Sequence, residues 1–153
     1  MPKSKNNRTS ASESNAPSAG ADLVIITGIS GSGKLTALKA FEDLGFYAVD
    51  NLPIALVPKF ADLTLDSKTQ KHSAVTIDIR EGEAIKKFPE IYAELKNRVH
   101  STIVFLDADD DVLQRRFSET RRPHPLGSTS TVLSSIADER KELGAIRSLA
   151  DLY

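Results

Sequence analysis

The chain of 153 residues contains no cysteine and no tryptophan, one methionine, and only 6% aromatic residues. Without cysteine a disulfide framework, a thiolate metal site and a thiol nucleophile are excluded together. Charge of one sign is lacking as well. Twenty Lys and Arg stand against 21 Asp and Glu for a formal net charge of −1, so bulk electrostatics makes no case for a nucleic-acid partner. Long apolar runs are missing: residues 23–26 are strand-sized, far short of the roughly 18 residues a membrane span needs. Nothing in the order of residues resembles a metal-ligating cluster or a Ser-His-Asp arrangement. What is present is a hydrophobic fraction of 40%, enough for the core of one domain. A soluble globular domain is expected, placed in the cytoplasm.

Residues 1–21 carry no Val, Ile, Leu, Phe or Tyr and are rich in Ser, Asn and Lys. Such a segment has too little apolar surface to offset its ordering entropy, and it is expected to be a disordered tail. It has no apolar stretch of the kind a secretory signal requires. From Asp22 the pattern alternates. Residues 23–27, 46–49, 74–79 and 102–106 read as strands, and residues 34–44, 54–65, 90–99, 110–121 and 130–143 as helices. Gly45 is expected to stop the first helix, and Pro53 and Pro89 to precede the second and third. Strand–helix alternation implies right-handed crossovers and a parallel sheet covered on both faces, an α/β fold in three layers. Residues 150–153 read as the opening of a further strand, which suggests a truncated chain with residues 22–153 as one domain.

The strongest chemical signal is Gly28-Ile29-Ser30-Gly31-Ser32-Gly33-Lys34, between the first strand and the first helix. It fits G-x-x-x-x-G-K, the phosphate-binding loop of P-loop proteins. Glycines let successive backbone N–H groups converge on an anion, the helix points its positive end at the same spot, and Lys34 adds a cation. Where a Ser or Thr would hold Mg²⁺, the chain has Leu35. Thr36 follows, but one helical step turns it away by about 100°. The pattern therefore supports phosphate binding more strongly than phosphoryl chemistry.

Strand C-termini are where ligands collect in open parallel sheets. Asp78, with Arg80 beside it, is the favoured acid on that rim. Asp107 reads equally as a ligand group or as a helix cap, and Asp109 or Asp110 as a cap. Arg121 and Arg122, ahead of Pro123-His124-Pro125, have the character of a lid whose planar forks close over a phosphate; Arg115 and Arg116 carry less weight. His72 and His100 sit at strand edges and read as surface residues.

The strings GISGSGKLTALKAFEDLGFYAVDNLP, TIDIRE, FLDAD and TRRPHPL resemble the RNase adapter RapZ family, also described as YvcJ-type nucleotide-binding proteins. The resemblance runs from about Leu23 to the end. It implies a P-loop NTPase-type fold, with Gly28, Ile29, Ser30, Gly31, Ser32, Gly33, Lys34 and Leu35 at an ATP site. It also implies that Asp78, Ile79, Arg80 and Glu81 form a second, GTP-assigned segment. Weak ATP or GTP hydrolysis in a regulatory role, and in some bacteria binding to small RNAs and an RNase, are implied likewise. The family loop normally reads GKS where this chain has GKL. The family's second half, with its amino-sugar phosphate site and much of its RNA-binding surface, is not among these 153 residues, so RNA or RNase partners rest on the resemblance alone and would not carry over to a chain naturally this short. A small-molecule P-loop kinase and a phosphate-binding remnant without catalysis are the competing readings.

Overall fold

The computed structural model describes residues 22–66, 72–77, 83–120 and 132–153, with the backbone alone for residues 84 and 118–120. The chain runs β1 (Asp22–Gly28), α1 (Lys34–Asp43), β2 (Tyr47–Val49), a 3-10 turn (Ile54–Leu56), α2 (Val57–Asp66) and β3 (His72–Thr76). It continues through α3 (Glu83–Leu95), β4 (His100–Leu106), α4 (Asp110–Thr120), α5 (Val132–Glu142) and α6 (Gly144–Leu149). All strand pairs are parallel, in the order β2-β3-β1-β4. The α/β class and the parallel sheet thus stand as expected, while the expected tail at residues 1–21 lies outside the described residues.

The two-residue period of β1 builds two cores from one strand. Leu23 and Ile25 turn to one face, where they join Val75, Ile77, Ile103 and Phe105 under side chains of α2, α3, α5 and α6. Val24 and Ile26 turn to the other and meet Leu38, Ala37 and Phe41 of α1. Buried on both faces, the strand reads as an unbroken apolar run. Each fully buried Leu or Ile contributes roughly 1.5–3 kcal/mol to the layered packing.

Gly45 ends α1 as its sequence position predicts. Its φ is +93°, its N–H donates to the Glu42 carbonyl at 2.9 Å, and the Phe46 N–H donates to Phe41 at 3.0 Å. This is a Schellman turn, and the Phe41 and Phe46 rings close it edge-on at 5.2 Å.

Strands β3 and β4 each begin two residues earlier than expected, at His72 and His100, and the helices differ at three points. Helix α3 starts at Glu83 and holds Pro89 inside, rather than starting after that proline. A mid-helix proline costs about 3 kcal/mol, but starting later would expose Ile85 and Phe88, which are buried with Tyr92 and Leu95 on one stripe. The expected helix over 130–143 is α5, Val132–Glu142, and a further short helix, α6, follows it from Gly144 to Leu149. The two helices bury Ile136, Leu143 and Ile146 together. The second helix is divided, its first turn being the 3-10 turn.

Where a further strand is expected at the chain end, the structure has a single parallel bridge between Leu152 and Val104. The Phe105 N–H donates to the Leu152 carbonyl at 2.9 Å. Asp151 secures this edge, accepting the Ile103 N–H at 2.9 Å and the Tyr92 hydroxyl at 3.1 Å. Where β1, β3 and β4 begin, Asp22 pairs with both His72 and His100 at 2.8 Å, giving those exposed histidines a shared partner.

Burial, followed by the charge and hydrogen bond of Asp151, pushes the Tyr92 phenol above the usual tyrosine value. The unfolded chain therefore ionises first as pH rises through about 10, and the stability held by neutral Tyr92 falls above that point. Tyr92→Phe should be about 1 kcal/mol less stable near neutrality and should lose less between about pH 9 and pH 11. Urea unfolding of both proteins across that range measures the difference.

Candidate functional site: a phosphate loop clamped by distant helices

β1 cannot continue beyond Gly28 as an ordinary strand. A Cβ on Gly28 would stand 2.0 Å from the Leu106 carbonyl oxygen, and its φ is +141°. The Ile29 N–H donates to that same carbonyl at 3.0 Å, and Ile29 is fully buried. From this anchor the loop turns back. The Ser32 N–H donates to the Ile29 carbonyl at 3.0 Å, with Gly31 at φ +83° and Gly33 at φ +100°.

Helix α1 then opens with no side-chain cap and no acidic residue in its first turn. A helix start of that kind leaves its N–H groups and its positive dipole end to an external anion. Lys34 arches back over the loop, with Nζ at 3.1 Å from the Gly28 carbonyl and 3.3 Å from Ile29. The Ser32 hydroxyl is buried and without a hydrogen-bond partner among the described residues. A Cβ at Gly33 would meet nothing within 4 Å. Orphaned hydroxyl, open space and uncapped helix fit a phosphate group. Residue 35 does not fit a Mg²⁺ ligand: Leu35 is 50% exposed and has no oxygen to offer.

The loop is held from outside by two helices. From α4, Arg116 Nη1 donates to the Gly31 carbonyl at 2.5 Å, while Leu113 and Phe117 lie beneath Gly31, 3.8 to 3.9 Å from where a Cβ on it would stand. From α5, fully buried Glu139 accepts the Ser30 N–H at 2.7 Å and the Ser30 hydroxyl at 2.8 Å on one oxygen. The next residue, Arg140, donates through Nε and Nη2 to the two Asp107 oxygens at 3.2 Å each, and to the Ala108 carbonyl at 3.0 Å. Arg140 also bonds Asp110. Hydrogen bonding to Asp107 outweighs burial and raises the Arg140 pKa above its ordinary value.

The arrangement redistributes the weight of the candidates. Asp107 serves structure: its carboxylate takes the Ala108 N–H at 2.7 Å and the Arg140 guanidinium. Arg116, given less weight by sequence than Arg121 and Arg122, reaches the loop. Asp78, Ile79, Arg80, Glu81, Arg121, Arg122 and His124 lie outside the described residues. Sequence reasoning misses Glu139 and Arg140 altogether, since 109 positions separate Ser30 from Glu139 and no spacing rule links them. It misses Asp50 too. Asp50 accepts the Thr76 hydroxyl at 2.5 Å, the Asn51 N–H donates to that hydroxyl at 2.6 Å, and Asn51 sits at φ +56°. The string GFYAVDNLP contains this β2–β3 tie without revealing its partner strand.

The family model for the RapZ-like N-terminal domain matches residues 21–153. The chain belongs to this family. It is 52% identical over 143 residues to a nucleotide-binding protein of Solibacter usitatus, covering 94% of this chain and 45% of that protein. It is 54% identical over 143 residues to a nucleotide-binding protein of Acidobacterium capsulatum, covering 94% and 47%. The RapZ-like chain thus spans about half the length of the curated relatives it matches. Among solved structures it resembles the shikimate kinase of Bacteroides thetaiotaomicron, with TM-score 0.57 and 17% identity over 85% of this chain and 84% of that one. The shikimate kinase of Acinetobacter baumannii, solved with shikimate, gives TM-score 0.53 and 17% identity over 86% and 82%. These likenesses show a shared P-loop kinase-like fold.

Gly28→Ala should cost about 3 kcal/mol or more, because the obstruction is backbone rather than a flexible side chain. Gly33→Ala, with open space at its Cβ, should cost only the positive-φ penalty of about 1–2 kcal/mol. Paired urea denaturation curves test this ordering.

Proposed function

We propose that this RapZ-like domain binds ATP or GTP as a regulatory module, with slow or absent hydrolysis. The carrying observation is the uncapped start of α1 behind a glycine loop over which Lys34 is folded. In this reading the main chain of residues 28–33 and Lys34 hold the phosphates. Asp78, Ile79, Arg80 and Glu81 form the second contact segment, and Arg121 and Arg122 a lid. The names of the curated relatives support a nucleotide as ligand. Residues 22–153 act as the nucleotide-binding domain and residues 1–21 as a tail, in the cytoplasm; no helix among the described residues is long and apolar enough to cross a membrane.

Binding and catalysis separate at residue 35. The cradle is made of backbone groups, which the Leu35 side chain leaves intact. A metal ion would draw charge from the phosphates, but Leu35 removes the hydroxyl that places it. A small-molecule kinase is the second reading, favoured by Asp50, an acid just beyond the end of β2 that accepts the Thr76 hydroxyl of β3. Acceptor-dependent release of nucleoside diphosphate, with the phosphoryl group recovered on the acceptor, would favour that kinase, and its absence the regulatory module.

Thermal melting tests the proposal. Nucleotide at about 100 times Kd should add about 2.7 kcal/mol, or roughly 5–10 °C for a domain of this size. Lys34→Ala should abolish that shift while leaving the unliganded melting temperature nearly unchanged; full protection in the variant would overturn the assignment. Leu35→Ser should confer magnesium dependence on nucleotide hydrolysis, read as phosphate release with and without the ion.

A further inference from the structure

Helix α2 has two apolar stripes, and the core of the molecule accounts for one of them. Val57, Ala61 and Thr64 are buried. Leu56, at the end of the 3-10 turn, and Phe60 and Leu63 of α2 are spaced four and three residues apart, which makes a second stripe about 100° round the helix from the first. Leu56 is 50% exposed and Leu63 63% exposed. Phe60 stacks on Tyr47 of β2, ring centroids 6.1 Å apart and planes 18° from parallel, and Tyr47 is itself exposed. The second stripe therefore lies on the β2 side of the molecule, where the sheet ends: β2 has only β3 beside it, whereas the outer edge of β4 is bridged by Leu152.

Scattered exposed leucines are ordinary, but here Tyr47, Leu56, Phe60 and Leu63 run together at one open edge of the sheet. We propose that this stripe is the surface on which a second copy of the chain docks, α2 against α2 and antiparallel. The pairing is independent of the phosphate loop, which belongs to β1 and α1.

The charges of α2 set the partner and its direction. Lys59 and Asp66 are both exposed, and seven residues apart they share one flank of the stripe, with opposite signs toward opposite ends. Neither is engaged in an ion pair among the described residues, while Asp62, turned away from the stripe, holds Arg98 of the same chain at 2.7 Å. Two copies related by a twofold axis bring each Lys59 beside the partner's Asp66 and Phe60 against the partner's Leu63. Parallel pairing would set like charge beside like and align the two helix dipoles. A stripe flanked in this way is complementary to itself, as a twofold interface requires. One helix pair with Tyr47 at its margin covers less than the roughly 1,200–2,000 Å² of a tight interface, so the dimer is reversible and forms as concentration rises.

Sedimentation equilibrium of the 153-residue chain at low salt, from about 10 µM to about 1 mM, tests the proposal. Wild type should move from 16.6 kDa toward twice that mass. Leu63→Glu puts a charge into the stripe at an exposed position and should weaken association about tenfold or more, with the melting temperature nearly unchanged. Lys59→Asp alone, or Asp66→Lys alone, places like charges together at both ends of the symmetric contact and should weaken it about tenfold. The two exchanges combined should restore the wild-type association, because the pairs re-form with their signs reversed. If Leu63→Glu fails to fold, the charge exchanges decide the matter alone. A wild type that stays monomeric throughout, as it would if the stripe served a different partner or the further half of the longer relatives, overturns the proposal. So does a folded Leu63→Glu that dimerises like wild type, or a double exchange that fails to restore what the single ones lose.

Discussion

The close approach of β1 to β4 at Gly28 is the constraint from which the site follows. Leu106 presents a carbonyl where any side chain on residue 28 would lie, and the same carbonyl accepts the Ile29 N–H. The strands meet there without a side chain between them, so the chain has to leave the sheet by turning. The turn brings its amides round to the start of α1. A residue with a Cβ at this point would push β1 from β4 and carry the loop with it. The phosphate loop is therefore as much a product of sheet packing as of its own glycines.

Loops of this composition lose much backbone entropy on ordering, and glycine alone cannot hold a shape. Here the order comes from outside. Helix α4 supplies Arg116 to the Gly31 carbonyl, and α5 supplies Glu139 to Ser30. The adjacent Arg140 fixes α5 to Asp107, just beyond the end of β4. Consecutive residues of one helix thus join the loop to the strand beside it. Because Glu139 and Arg140 are neighbours, a change in either contact is felt by the other, and the loop is coupled mechanically to the β4 edge where Leu152 pairs.

The amino-acid order revealed what depends on short-range chemistry. The β1 run, the Gly45 stop and the G-x-x-x-x-G-K loop were legible because burial on both faces, positive φ and anion binding each demand particular residues at fixed spacing. Pro89 misled, since its local penalty was visible while the burial of Ile85 and Phe88 was a tertiary gain. Glu139 was silent for the same reason. An acid on an amphipathic helix looks like a solvated face until the sheet order brings α5 against the loop. Asp107 was ambiguous between cap and ligand, and only Arg140, 33 residues on, decided its role.

Leu35 shows how separable the two halves of a phosphate site are. The cradle depends on main-chain geometry, which tolerates almost any side chain at the second position of α1. The metal depends on one hydroxyl at that position. Leu35, half exposed, leaves the main-chain turn as it is and offers no side-chain oxygen where a metal ligand would stand. The fully buried Glu139, fixed on the loop yet carried by a separate helix, makes the shape of that cradle depend on how α5 is held against Asp107.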